Sequence, residues 1–251
     1  MCYILTIDSG NTFIKWGLHD QSDWIRQGKV KQVERAKLIN VWENLPEPSS
    51  IIVSNVAGDT AQKNLTVLCS VWKTKPHWIV PVRQQCGVRN FYTKPNQLGS
   101  DRWAALIAAW NHQSQACLVI NIGTAMTVDV LSDSGWFLGG IIVPGPDLMF
   151  KVLSTHTEIP RTERGDFNQL PVCTDDAIFS GVIQSLVGSI ERMNQILCTR
   201  LEYSKQNCIL SGGASSLILP YLGIRAKVVD NLVLEGLLLI ANDQSRTVKL
   251  D

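Results

Sequence analysis

The feature that most constrains this chain is an approximate internal repeat. ILTIDSGNT (Ile4–Thr12) is an apolar run that ends in an acid and a glycine, and the alternating segment Phe13–Leu18 follows it. LVINIGTAMT (Leu118–Thr127) has a similar form, an apolar run ending in Asn-Ile-Gly with an amide where the first has the acid, continued by the alternating Met126–Leu131. Strict alternation after a buried run predicts a strand that doubles back as a hairpin. The first unit turns around Asp20–Asp23, and the second turns at Asp133-Ser134-Gly135 before a strand over Trp136–Val143. Two such units predict two similar halves facing each other across a cleft.

The remaining segments alternate in type. Val33–Asn44 and Asp59–Val71 have helical spacing, while Ile51–Ser54 and Trp78–Val80 have the composition of buried strands. Gly87–Gln97 lacks a period and is expected to be a loop, followed by a helix from Ser100 through the Ala-rich stretch to Trp110. Val143-Pro-Gly-Pro146 is expected to be a turn, and Thr155–Val172 irregular. Thr174–Leu201 is a long amphipathic helix with Ile178, Val182, Leu186, Ile190, Met193, Leu197 and Leu201 on one stripe. That stripe suits either the core or a subunit interface. Asn207–Leu210 is a strand, and Asn231–Ala241 a last helix. The expected fold class is α/β, with two ribonuclease H-like halves, residues 1–114 and 115–251, each a mixed sheet of about five strands flanked by helices.

Composition excludes several classes of function. Charged residues make up 18% and the net charge is +1, with no Lys/Arg cluster interleaved with aromatics, so no nucleic-acid partner is expected. The longest apolar stretches, Ala104–Trp110 and Leu232–Ala241, fall short of the roughly 20 residues that span a bilayer, so no membrane partner is expected either. The N-terminus has no basic leader, which points to a cytoplasmic protein. The seven cysteines have neither zinc nor redox spacing and are read as structural thiols. His19, His77, His112 and His156 have no ligand spacing and are expected at the surface or in turns. Trp16, Trp103 and Trp110 are expected in the core, and Trp136 on a strand.

No Walker P-loop and no strand-linked GxGxxG is present. Three strand-terminal glycine turns stand in their place: Asp8-Ser-Gly-Asn-Thr12, Asn121-Ile-Gly-Thr124 and Ser211-Gly-Gly-Ala-Ser215. Glycine lets backbone N–H groups close on a phosphate, and an acid at the strand end can hold hydrated Mg²⁺ against it. Each turn alone is equally an ordinary tight turn. As an ordered trio they point to phosphate binding.

The trio resembles the phosphate-1, phosphate-2 and adenosine motifs of the acetate and sugar kinase, Hsp70 and actin superfamily. Within it the chain is similar to type III pantothenate kinases. The matching stretches are IDSGNTFIKW (Ile7–Trp16), GVRNFY (Gly87–Tyr92), LGSDRWAALIAA (Leu98–Ala109), NIGTAMTVD (Asn121–Asp129), GGIIVPG (Gly139–Gly145) and TDDAIFSG (Thr174–Gly181), in the family's order. The resemblance implies ATP- and Mg²⁺-dependent phosphorylation of pantothenate to 4′-phosphopantothenate, the first step of coenzyme A biosynthesis. ATP would be held by Asp8, Ser9, Gly10, Asn11, Thr12, Phe13, Ile14, Lys15 and Thr124, with Asp8 facing the metal and Gly212 and Gly213 near the nucleotide. Pantothenate would meet Tyr92, Gly99, Ser100, Asp101 and Arg102, with Asp101 as general base, and Thr174 would reach the substrate of a neighbouring subunit in a homodimer.

By spacing alone, Ser100-Asp101 is a helix start, Lys15 a solvated strand residue and Thr174 a cap. The family's phosphate-2 motif opens with aspartate, whereas position 121 here is Asn. That carboxylate is associated with a monovalent cation, K⁺ or NH₄⁺, so the cation site is expected to be weakened, with Asp129 on the adjoining strand as partial compensation. Two other readings follow from the same residues. One is a catalytically degenerate binding or regulatory protein on this fold, and the other is a different small-molecule kinase of the superfamily.

Overall fold

The computed structural model describes residues 2–157, 165–201 and 207–247, the side chains of 201 and 245–247 excepted. The backbone divides into two compact units, Ser114–Asp230 and a discontinuous one made of Met1–Gln113 with Asn231–Asp251.

The first unit opens with β1 (Ile4–Ser9), β2 (Phe13–His19) and β3 (Trp24–Lys31), an antiparallel meander. After α1 (Lys37–Trp42) the chain returns as β4 (Ser50–Asn55), parallel to β1, and after α2 (Asp59–Cys69) as β5 (Pro76–Trp78). The sheet order is β3-β2-β1-β4-β5. Central β1 is buried on both faces, which explains its unbroken apolar run. One face of the sheet packs Leu5, Ile7, Ile14, Ile51 and Val53 against a tryptophan cluster in which Trp42 lies 6.2 Å from Trp16 and 5.5 Å from Trp72. A short hairpin of β6 (Gln84–Gln85) and β7 (Val88–Asn90) precedes α3 (Ser100–Gln113).

In the second unit β8 (Cys117–Ile122), β9 (Ala125–Leu131) and β10 (Trp136–Pro144) repeat the antiparallel meander. After α4 (Pro146–His156) and α5 (Thr174–Leu201), β11 (Cys208–Ser211) runs parallel to β8. A short α6 (Ser215–Ile218) leads to β12 (Ala226–Val228), parallel to β11. Strand for strand, β10-β9-β8-β11-β12 reproduces the order of the first unit, so the repeat visible in sequence is a repeat of topology.

The last helix, α7 (Leu232–Thr247), departs from the sequence-based division, which placed residues 115–251 together. It packs on β1, β4 and α3 of the first unit. The crossing is close at Gly236, where an added Cβ would come within 1.9 Å of the Ala104 carbonyl oxygen. Gly236→Ala is therefore expected to lower unfolding free energy by roughly 1–3 kcal/mol in a denaturant titration, despite alanine's better helix propensity.

Other expectations shift in detail. The helix expected over Val33–Asn44 is a 3₁₀ turn at Gln32–Glu34 followed by α1, whose Leu38 and Trp42 are buried in the core with Ile39 and Val41 packed beside them, while Val33 stays exposed. The Gly87–Gln97 loop begins as the β6–β7 hairpin, turned by Cys86 and Gly87 at φ of 48° and 81°. Pro146, expected in a turn, occupies the first turn of α4, where its missing N–H costs nothing. The irregular segment expected over 155–172 lies partly outside the described residues. Five residues of the α5 stripe are core: Val182, Leu186, Ile190, Met193 and Leu197 are buried against β8, β9 and β11, while Ile178 is half-buried and the side chain of Leu201 lies outside the described residues. His19 stands at the β2–β3 turn, where its Nδ1 accepts the Gln21 N–H at 3.0 Å, but it is buried edge-on to Trp24, and burial pushes its pKa down. His112 bonds Glu235 at 2.7 Å across α3 and α7.

Candidate active site

Strand register places the first set of groups. Asp8 lies opposite Lys15 on β2 and Ser54 on β4, so the three share one face of the sheet, the face that α3 and α7 cover. Ser54 Oγ and Ser100 Oγ are 2.9 Å apart, which ties the start of α3 to the end of β4. The Ser100 hydroxyl thus anchors the helix rather than capping it. Next to it, Asp101 Oδ1 accepts the Arg102 backbone N–H at 2.7 Å.

The electrostatics follow from this convergence. Burial first, and then the nearby Asp101 carboxylate, raise the Asp8 pKa to about 7 against the pull of Lys15. Burial also raises the Asp101 pKa, opposed by the Arg102 N–H and guanidinium. Two neighbouring carboxylates whose pKa values are raised by burial despite Lys15 and Arg102 suit a site that takes up cations or protons. Among the described residues no cluster of three or more His, Cys, Asp or Glu side chains could hold a metal unaided. Asp8 therefore fits a Mg²⁺ whose other ligands would be water and phosphate oxygens.

The β1–β2 turn is tight, with the Gly10 N–H donating to Phe13 O at 3.0 Å and Asn11 and Thr12 exposed at its tip. Ser9 is fully buried. The turn is buttressed by a residue that periodicity did not single out. Gln32 Nε2 donates to Ser9 Oγ and to Gly10 O, both at 2.9 Å, and the Gln32 N–H donates to Thr12 O at 2.9 Å. Phe13 carries Lys29 Nζ 3.7 Å above its ring, and Lys29 stands opposite Lys15 on β3. Ile14 is core.

Arg102 is buried, and its Nη1 donates to the Tyr92 hydroxyl at 3.3 Å. Gly99 is tight against Asp101, whose Oδ1 lies 2.6 Å from where a Cβ would stand. The first unit thus brings together Asp8, Lys15, Tyr92, Ser100, Asp101 and Arg102 from segments far apart in sequence.

The second unit gathers its own set. The Gly123–Thr124 turn closes with the Gly123 N–H on Ala125 O at 2.9 Å and is backed by Gly145, whose N–H donates to Thr124 O at 2.8 Å. A Cβ on Gly145 would lie 2.0 Å from Gly123 O. Gly212, at φ 103°, presses on the same place: an added Cβ would lie 2.2 Å from Ile122 O and 2.7 Å from Asn121 Oδ1. The second and third glycine turns are therefore in contact. Asn121, Thr127 and the buried Asp129 share the face of the sheet opposite the α5-packed core. Thr174 is exposed at the first position of α5.

The paired five-strand topology, with a glycine turn after β1, β8 and β11, defines a member of the acetate and sugar kinase, Hsp70 and actin class of fold. A solved structure of this class is the activator of 2-hydroxyisocaproyl-CoA dehydratase from Clostridium difficile with bound ADPNP. It matches with a TM-score of 0.55 at 11% identity, covering 99% of this chain and 98% of that one. The sequence profile of type III pantothenate kinase matches residues 4–195. The type III pantothenate kinase of Nitrosospira multiformis is 50% identical over 244 residues, covering 97% of this chain and 93% of that protein. That of Nitrosomonas eutropha is 48% identical over 242 residues, covering 95% and 94%. The chain belongs to the type III pantothenate kinase family.

Proposed function

We propose that the chain transfers the γ-phosphoryl group of ATP to pantothenate, giving 4′-phosphopantothenate and ADP, as the entry to coenzyme A biosynthesis. The observation that carries this reading is the convergence of Asp8, Lys15 and Asp101 at the ends of β1, β2 and α3. The pantothenate primary alcohol attacks the γ-phosphorus and its proton passes to Asp101, while the bond to the β,γ-bridging oxygen breaks. Chemistry of this kind rests on positioning and charge neutralisation, with a carboxylate that orients the alcohol and takes its proton late. A raised pKa makes Asp101 a stronger base once ionised. Lys15 and the N–H groups of the β1–β2 turn serve the phosphates, and Thr124 also serves ATP. Asp8 would hold a Mg²⁺, which would supply positive charge to the phosphates. Arg102, held against Tyr92, lines the acceptor side.

The rest of the reading concerns the setting of the enzyme. Family membership supports a cytoplasmic enzyme. A homodimer in which Thr174 reaches the neighbouring subunit's substrate fits the exposure of Thr174 and the uncovered apolar residues Ile142, Val152, Leu170 and Val172 of the same unit. Asn121 keeps an oxygen ligand for K⁺ or NH₄⁺ but removes a unit of negative charge from that site.

A coupled assay with purified protein, MgATP and pantothenate tests the reading, run in K⁺, NH₄⁺ and Na⁺ buffers. Turnover with pantothenate, and none with simple sugars or acetate, is expected. Failure with pantothenate under every cation would favour a binding protein on this fold. The rate in Na⁺ is expected to approach that in K⁺, and a saturable, strict K⁺ requirement would show that Asn121 does the carboxylate's work.

A further inference from the structure

The segment that presents Tyr92 is clamped from one side by a single side chain. Arg83, just before β6, donates from Nη1 to Asn90 O and to Tyr92 O, both at 3.0 Å, and from Nη2 to Thr93 O at 3.4 Å. The Asn90 N–H returns to Arg83 O at 2.9 Å. Behind the clamp, the fully buried Asn90 accepts the Tyr92 N–H on Oδ1 at 3.0 Å and donates from Nδ2 to Pro95 O at 3.2 Å. Each of these bonds has a main-chain group of residues 90–95 at one end, so Arg83 and Asn90 together fix that path whatever side chains residues 91–94 carry.

Arg83 has no carboxylate partner among the described residues, so its guanidinium is committed to three carbonyl oxygens. A planar fork can reach three acceptors spread over four residues, and an ammonium group cannot. The path matters because Tyr92 ends on Arg102, the residue next to Asp101. A displacement of about 1 Å in such a chain can cost on the order of 10²-fold in rate.

We propose that Arg83, seated on Asn90, is a positioning residue that sets Tyr92 against Arg102 and so shapes the acceptor pocket beside Asp101. This rests on the pantothenate kinase reading. Arg83 touches no reacting atom and acts through Tyr92.

The test compares the parent with Arg83→Lys, Tyr92→Ala and the double variant. In Arg83→Lys the KM for pantothenate is expected to rise roughly tenfold, with the KM for ATP within about twofold of the parent, because charge is kept and only the fork is lost. In the Tyr92→Ala background the same change is expected to add less than about twofold, the mark of two residues acting as one unit. Hydrogen exchange without substrate should show faster exchange at the Asn90 and Tyr92 amides in Arg83→Lys, with the β1 and β2 amides unchanged. A parental KM in Arg83→Lys, equal rises in both KM values, or additive effects in the double variant would each overturn the proposal. If the parent fails to phosphorylate pantothenate, the functional reading falls. The exchange experiment then decides the clamp alone, and unaltered exchange at Asn90 and Tyr92 would overturn it.

Discussion

Replacing Asp101 with asparagine is expected to lower kcat with pantothenate roughly 10²–10⁴-fold, the usual contribution of a positioned general base. The KM for ATP should hardly change, because Asp101 stands at the start of α3 and not in the β1–β2 turn. The amide retains an oxygen for the Arg102 N–H, so the helix start survives. It also relieves the repulsion that Asp101 exerts on Asp8, and the thermal midpoint should therefore stay at or above that of the parent. Steady-state kinetics beside a melting curve checks both parts. A variant that keeps more than about a tenth of parental kcat would remove Asp101 from the role of base.

Asp8→Asn should show the opposed demands of folding and function most plainly. The carboxyl of Asp8 titrates near 3.8 in an unfolded chain and at about 7 in the folded protein. Between those values the folded state holds a proton that the unfolded state has released. The stabilising contribution is then complete below pH 4 and is lost as the pH rises through about 7. At pH 8 the parent carries this cost in full, and the uncharged variant does not. In EDTA, Asp8→Asn is expected to be more stable than the parent by roughly 1–4 kcal/mol at pH 8, and by much less at pH 5. Activity should nonetheless fall at least 10²-fold, since on the proposed reading the carboxylate whose burial is costly is the one that would face the metal on the phosphates. Thermal melts across pH 5–8, with rates at saturating MgATP, provide the comparison. A variant less stable than the parent at pH 8 would show that Asp8 is already neutralised within the protein.

Much of this could be read from the residues in advance, because local pattern and local structure coincide here. The ILTIDSGNT and LVINIGTAMT runs became β1 and β8, their alternating continuations became β2 and β9, and Thr174–Leu201 became α5 over the range that its spacing predicts. What stayed hidden depends on partners distant in sequence. Nothing in Gln32 marks it as the buttress of Ser9 and Gly10, and nothing in Arg83 shows that its fork will close on Asn90, Tyr92 and Thr93. The α5 stripe fitted core and interface equally, and only its packing on β8 and β9 separated the two. Gly236 and Gly145 look like any helical or turn glycine until Ala104 and Gly123 arrive within a Cβ's reach. The placement of α7 is hidden for the same reason, since order along the chain says nothing about which sheet a final helix covers.

That placement bears on how the molecule is made. Residues 114–230 form an uninterrupted stretch that can complete its packing as soon as it leaves the ribosome. The first unit, though synthesised earlier, must wait for α7 to emerge before β1 and β4 gain their cover. The half that holds Asp8 and Asp101 is thus begun first and finished last, and nascent chains halted before residue 232 should expose a sheet face for chaperones to shield.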